Sequence, residues 1–183
     1  MPEGFALRIG PVSVALFGEF DPSRWTLDAG HHKFFSPTNL AQTALHVEWG
    51  PTVGQSGHLA FEAGRVARFY RDGRQWSIRL GEDEHSRAAD RVLSLDASGT
   101  TGSVLMNSGS AAGPAARYPL EYPLEDLLFR HLMAHHGALL VHACGVSWRG
   151  RGYLFVGSSG AGKSTTARLW RAAGAPVLNA ARV

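Results

Sequence analysis

A chain of 183 residues that is 44% hydrophobic and 18% charged has the make-up of a soluble globular protein, with room for one domain or for a small domain plus part of another. No apolar run approaches the roughly 20 residues that cross a bilayer. Residues 1–4 lack the basic start and long apolar stretch of a secretory signal, and the single cysteine, Cys144, excludes an internal disulfide and agrees with a reducing cytoplasm.

In chain order, residues 1–117 read as mostly β. Phe5 to Phe17 alternates apolar and small residues. The runs 65–70 and 75–80 flank Arg71-Asp72-Gly73-Arg74, whose Asp-Gly pair is a hairpin signal. Runs 91–95 and 102–106 flank a second turn at 96–101. Thr38 to Val47 fits neither a helix nor a strand period cleanly. The net charge of +3 is modest. Its densest cationic group, Arg65, Arg68, Arg71, Arg74 and Arg79, reads as a solvated hairpin face, and the stacking aromatics of a nucleic-acid binder are not evident. No nucleic acid and no membrane is therefore expected as a partner.

Asn107 to Ala116 is rich in Ser, Gly and Ala. That composition marks a linker, so the chain is expected to divide into a β-rich domain, 1–117, and an incomplete nucleotide-binding domain, 118–183, of helix, hairpin, glycine loop, helix and strand. In the latter, Leu124, Leu127, Leu128, Leu132 and His131 fall on one helical face over Pro123 to His136, with Glu125 and Asp126 in the first turn and Gly137 as a stop. Ala138 to Trp148 is strand-like, 149–152 a tight turn, and Tyr153 to Val156 returns antiparallel. A helix follows from Lys163 to near Gly174, and a further strand starts at Pro176. The fold class is α+β or α/β. Cys144 lies in an apolar run, which reads as a buried structural thiol.

The run Gly157-Ser158-Ser159-Gly160-Ala161-Gly162-Lys163-Ser164 has the pattern G-x-x-x-x-G-K-S between a strand and a helix, the context that gives a phosphate-binding loop its meaning. Glycines let the backbone wrap an anion so that successive N–H groups point at its oxygens, and the helix dipole adds positive potential. Residues Gly157 to Thr165 would bind the phosphates, with Lys163 holding the β- and γ-phosphates of a bound ATP and Ser164 ligating Mg2+. Only Lys33 and Lys163 are lysines in a chain with sixteen arginines. A lysine is kept where a compact ammonium is wanted.

Nine histidines raise a metal hypothesis. His131 and His135 share a helix face and His136 adjoins them, with Cys144 or His142 as further donors, but no Glu lies between the pair and no second cysteine exists. Dipole-favourable helix-end histidines explain the pattern without a metal. His142 has different company, because its strand pairs with the one that leads into the glycine loop. A neutral imidazole there could assist proton transfer.

The stretch 139–146, a Gly turn, and 154–165 together resemble the HPr kinase/phosphorylase C-terminal superfamily, in particular the HPr-kinase-related proteins of peptide-modification clusters. The resemblance is specific over 120–183 and vague before it. It implies a P-loop core like that of ATP-dependent phosphoenolpyruvate carboxykinase, and transfer of the γ-phosphoryl of ATP to a protein or peptide hydroxyl. It also implies a strand histidine, matched by His142, and paired aspartates after the loop helix, where Ala180 and Ala181 stand instead. Alanine neither ligates magnesium nor accepts a proton, so the resemblance implies an impaired kinase. A non-catalytic nucleotide- or peptide-binding module and a fragment of an ABC-type ATPase are the alternatives.

Overall fold

Period-two patterning dominates the first hundred residues, and it becomes eight strands: β1 (Phe5–Ile9), β2 (Val12–Gly18), β3 (Thr43–Gly50), β4 (His58–Ala63), β5 (Ala67–Asp72), β6 (Gln75–Leu80), β7 (Arg91–Leu95) and β8 (Thr101–Asn107). The computed structural model describes residues 4–18, 20–25, 27, 31–54, 57–64, 66–81, 88–108 and 117–179. They form two units that divide between His136 and Gly137.

The eight strands make one sheet in the order β1-β2-β3-β8-β7-β6-β5-β4. From β4 to β8 it is an antiparallel meander, with Gly73 at φ 58° in the expected Asp-Gly turn. At its centre β2, β3 and β8 run parallel. The stretch that fits neither period resolves into a 3-10 turn at Thr38–Leu40 and the strand β3, along which Thr43, Leu45 and Val47 are buried while His46 and Glu48 face water.

Leu7, Val14, Leu16, Leu45, Ile78, Leu93 and Val104 lie on one side of this sheet, each at most 3% exposed. The helix α1 (Leu124–His135) belongs to the same unit and buries Leu124, Leu128, Phe129, Leu132 and Met133. It meets β2, and its His131 ring lies 5.8 Å from that of Trp76 on β6. The sequence reading divides the chain at 117/118 and joins this helix to the glycine loop. The structure divides it at 136/137, because the apolar stripe of α1 is buried within the β-sheet unit. Ion pairs from Arg117 to Asp90 and from Arg91 to Glu121 tie the approach to α1 to the start of β7. Of the linker at 107–116, only Asn107 and Ser108 lie among the described residues.

The basic hairpin needs a correction at one position. Arg79 is 4% exposed, and its guanidinium donates to the carbonyls of Gly54 (2.5 Å) and Thr52 (2.6 Å), so it fastens a crossing loop to the sheet. Thr52 in turn donates to the Ala89 carbonyl. Arg68 pairs with Glu62, and Arg71 lies over the Trp76 ring; Arg65 is outside the described residues.

The second unit has β9 (Ala143–Trp148), β10 (Arg151–Val156), α2 (Lys163–Ala172) and β11 (Val177–Asn179). The sheet order is β10-β9-β11, with both outer strands antiparallel to β9. β10 and β11 therefore run the same way, joined across β9 by α2. Arg149 and Gly150 take φ 50° and 75°, the positive values that a tight hairpin turn requires. Cys144, Val146, Ala167 and Ala175 are buried, flanked by Trp148, Phe155, Trp170 and Val177. β9 is shorter than the expected strand from Ala138. Its last pair is Ala143 with Val156, since beyond Val156 the partner strand turns away and leaves 138–142 without a ladder. Among the described residues no helix is long and apolar enough to cross a membrane. The described residues are thus mixed α/β, with a large eight-stranded sheet and two α-helices.

Candidate functional site

The glycine loop begins where β10 loses its partner. From Val156 the chain passes through Gly157–Gly162 and enters α2 at Lys163. Gly160 and Gly162 take φ 82° and 86°, in the left-handed region where other residues are strained. Gly157 is glycine for a different reason, since a Cβ there would lie 2.9 Å from that of Ala161. Ala161 N–H donates to the Ser158 carbonyl at 3.2 Å and closes a turn inside the loop.

Gly162 is the N-cap of α2 and brings no side chain to cap it. The first helical bond runs from Thr166 N–H to the Gly162 carbonyl at 2.9 Å. The N–H groups of Lys163, Ser164 and Thr165 thus have no acceptor within the helix, and they point out of its positive end. Lys163 folds back over the loop, and its Nζ donates to the carbonyls of Gly157 and Ser158, both at 2.8 Å. Gly157, Gly162 and Lys163 are half-buried, while Ser158, Ser159, Gly160, Ala161, Ser164 and Thr165 are exposed. One ammonium and an open helix terminus thus adjoin the same exposed loop. That combination suits an oxyanion.

Charge reinforces the geometry. Residues 137–183 contain Arg149, Arg151, Lys163, Arg168, Arg171 and Arg182 and not one Asp or Glu; all fifteen carboxylate side chains precede them. Arg168 was not singled out by the loop motif. It lies in α2 with Nη2 3.4 Å from Thr165 Oγ1, one turn inside the helix. The signal that could have found it is its spacing from Ser164 and Thr165, four and three residues back on the same helix face.

His142 is exposed and stands one residue before β9. Ala143 pairs with Val156, so His142, the residue before it, stands just outside the ladder at the end of the sheet from which the loop departs. Cys144 is fully buried. His131 and His135 lie in the other unit with ring centroids 4.9 Å apart; burial, and then the neighbouring His135, push the His131 pKa down. Among the described residues no three His, Cys, Asp or Glu side chains gather as a metal site. Ala180 and Ala181 lie outside the described residues. No family model matches the chain, and neither the curated proteins nor the solved structures compared with it give a match.

Proposed function

We propose that the second unit binds the phosphates of a nucleoside triphosphate, ATP by its resemblance to HPr-kinase-related proteins, and that the chain derives from kinases acting on a protein or peptide hydroxyl. The observation that carries this reading is the seat of Lys163, whose ammonium rests on the first two carbonyls of a glycine loop that opens directly into α2. In this reading Gly157, Gly160 and Gly162 shape the loop. Ser158, Ser159, Ala161 and Thr165 line it, and Lys163 binds the phosphate oxygens. His142 is the group at that end of the sheet able to take or give a proton.

The phosphates fit these residues. Magnesium fits less well. When bound, it would draw charge off the β- and γ-phosphates, but Ser164 offers one neutral oxygen and residues 137–183 offer no carboxylate. Phosphoryl transfer depends on the metal, its carboxylate ligand and a group that positions the attacking hydroxyl. The chain is therefore expected to be a poor catalyst, and the non-catalytic nucleotide-binding reading gains from the same fact. Phosphorylation of a peptide at ordinary kinase rates by the 183-residue chain would overturn this.

Calorimetric titration with ATP tests the site. Lys163→Ala should weaken binding about ten-fold or more, the worth of one charge-assisted contact. Equal affinity would remove the phosphate assignment.

A further inference from the structure

We infer that the loop takes its phosphoanion without a metal, and that Arg168 supplies positive charge where a divalent ion would otherwise bring it. The inference rests on the phosphate reading above and goes beyond it by naming the ionic form of the ligand and a second cationic contact.

The first observation is the charge census. Six cations and no carboxylate fall within 137–183. Magnesium at phosphate sites is ordinarily shared between phosphate oxygens and one or two carboxylates, and it gives up its waters reluctantly. The side chains of residues 137–183 include no carboxylate with which to hold it. A magnesium-bound triphosphate also carries two fewer negative charges, so it is attracted less by Lys163 and by the open end of α2. Metal bound to the ligand removes attraction and, from the side chains of residues 157–165, gains neutral hydroxyls but no carboxylate in return.

The second observation is the placement of Arg168. Its Nη2 lies 3.4 Å from Thr165 Oγ1, which folds the guanidinium back along α2 towards the loop. Its partner there is a neutral hydroxyl, and the unit has no Asp or Glu to neutralise it. Ser164, Thr165 and Arg168 share one helix face. A guanidinium fork there can bind two oxygens of one phosphate, and unlike an ammonium it does so with fixed geometry. Arg171 is exposed on the same helix but stands roughly 10 Å along the axis from Ser164. It carries the same charge without the reach.

The test uses the full 183-residue chain, with ATP and inorganic tripolyphosphate as probes, titrated once with excess Mg2+ and once in EDTA. Both probes should bind in EDTA at least as tightly as in Mg2+. Arg168→Gln should weaken binding in EDTA about ten-fold, Arg168→Lys should recover part of the loss, and Arg171→Gln should cost less than about two-fold. Far-UV circular dichroism identical to wild type shows that the exposed substitutions leave the fold intact. Affinity that falls ten-fold or more in EDTA overturns the inference while leaving the phosphate site standing. Equal losses for the Arg168 and Arg171 variants overturn the role of Arg168. Absence of binding in both buffers, with Lys163→Ala indistinguishable from wild type, overturns the phosphate reading itself.

Discussion

The two units hold their apolar and charged residues in opposite proportion to what each does. The first buries large side chains, among them Phe129, Leu16, Leu45, Leu93 and Met106, and contains all fifteen carboxylates. The second has a buried set of Cys144, Val146, Ala167 and Ala175, small residues closed over by a ring of aromatics. It leaves Leu154, Val156, Leu169 and Leu178 exposed and carries only positive charge. Large buried side chains gather in one region, and cations without carboxylates in the other. A site for phosphate needs an open helix end and uncompensated cations, and both oppose a thick, neutral core.

Substitutions can break that division. The largest effect is expected for Phe129→Ala, at the centre of the α1 stripe and 1% exposed. It should cost about 3–5 kcal/mol in urea unfolding of the first unit, and a loss below about 1 kcal/mol would show that α1 is not part of that core. Next comes Trp170→Ala, which removes the ring against which Trp148, Tyr153 and Phe155 lie at centroid distances of 5.9–6.1 Å. Trp170 is only half-buried, so about 2 kcal/mol is expected, read as a lowered melting temperature of the second unit and weaker ATP binding. Unchanged binding would mean that the loop does not depend on this cluster.

Acid should separate the units further. Burial pushes the Asp90 carboxyl up, but hydrogen bonds and charge from Arg117 and Arg91 outweigh it and hold the pKa below its ordinary 3.8. A depressed carboxylate stabilises the fold above its unfolded pKa and loses that contribution as pH falls through the folded one. The first unit should therefore weaken below about pH 4, while the second, with no Asp or Glu side chain, stays level there. Asp90→Asn should blunt the acid limb, and an unchanged limb would remove Asp90 as its source. The smallest effect concerns His131, whose pKa burial and then His135 lower from 6.5. A depressed histidine stabilises above its unfolded pKa, so the first unit should lose a little stability as pH falls below about 6.5. A melting series of His131→Gln should lack that slope.

Local signals in the sequence proved legible wherever the partner lay nearby. The Asp72-Gly73 turn, the 96–101 turn, the α1 stripe and the strand-loop-helix of residues 153–172 all follow from spacing within a dozen residues. What escaped was long-range. Nothing in the run 43–50 says that it lies parallel to β2 and β8, and nothing in α1 says which sheet its stripe will cover. His142 was placed inside a strand because its neighbours are β-formers, yet the ladder ends one residue later, where Val156 gives way to the loop. Arg79 read as solvated because sequence cannot show the carbonyls of Thr52 and Gly54 arriving above it. Arg168 lacked a motif of its own.

The parallel pairing at the centre of the large sheet sets an order of assembly. Strands β4 to β8 can close turn by turn, each against the one just made, while β3 finds its second neighbour only when Ala44 meets Thr101. On a ribosome, Leu45 and Val47 are made long before the strand that covers them. Loop-closure entropy makes that step late and slow. The growing chain must keep its N-terminal third from aggregating until β8 emerges. Refolding should show a slow phase that tracks burial of Trp49, at the far end of β3, and its absence would argue that the strands assemble in another order.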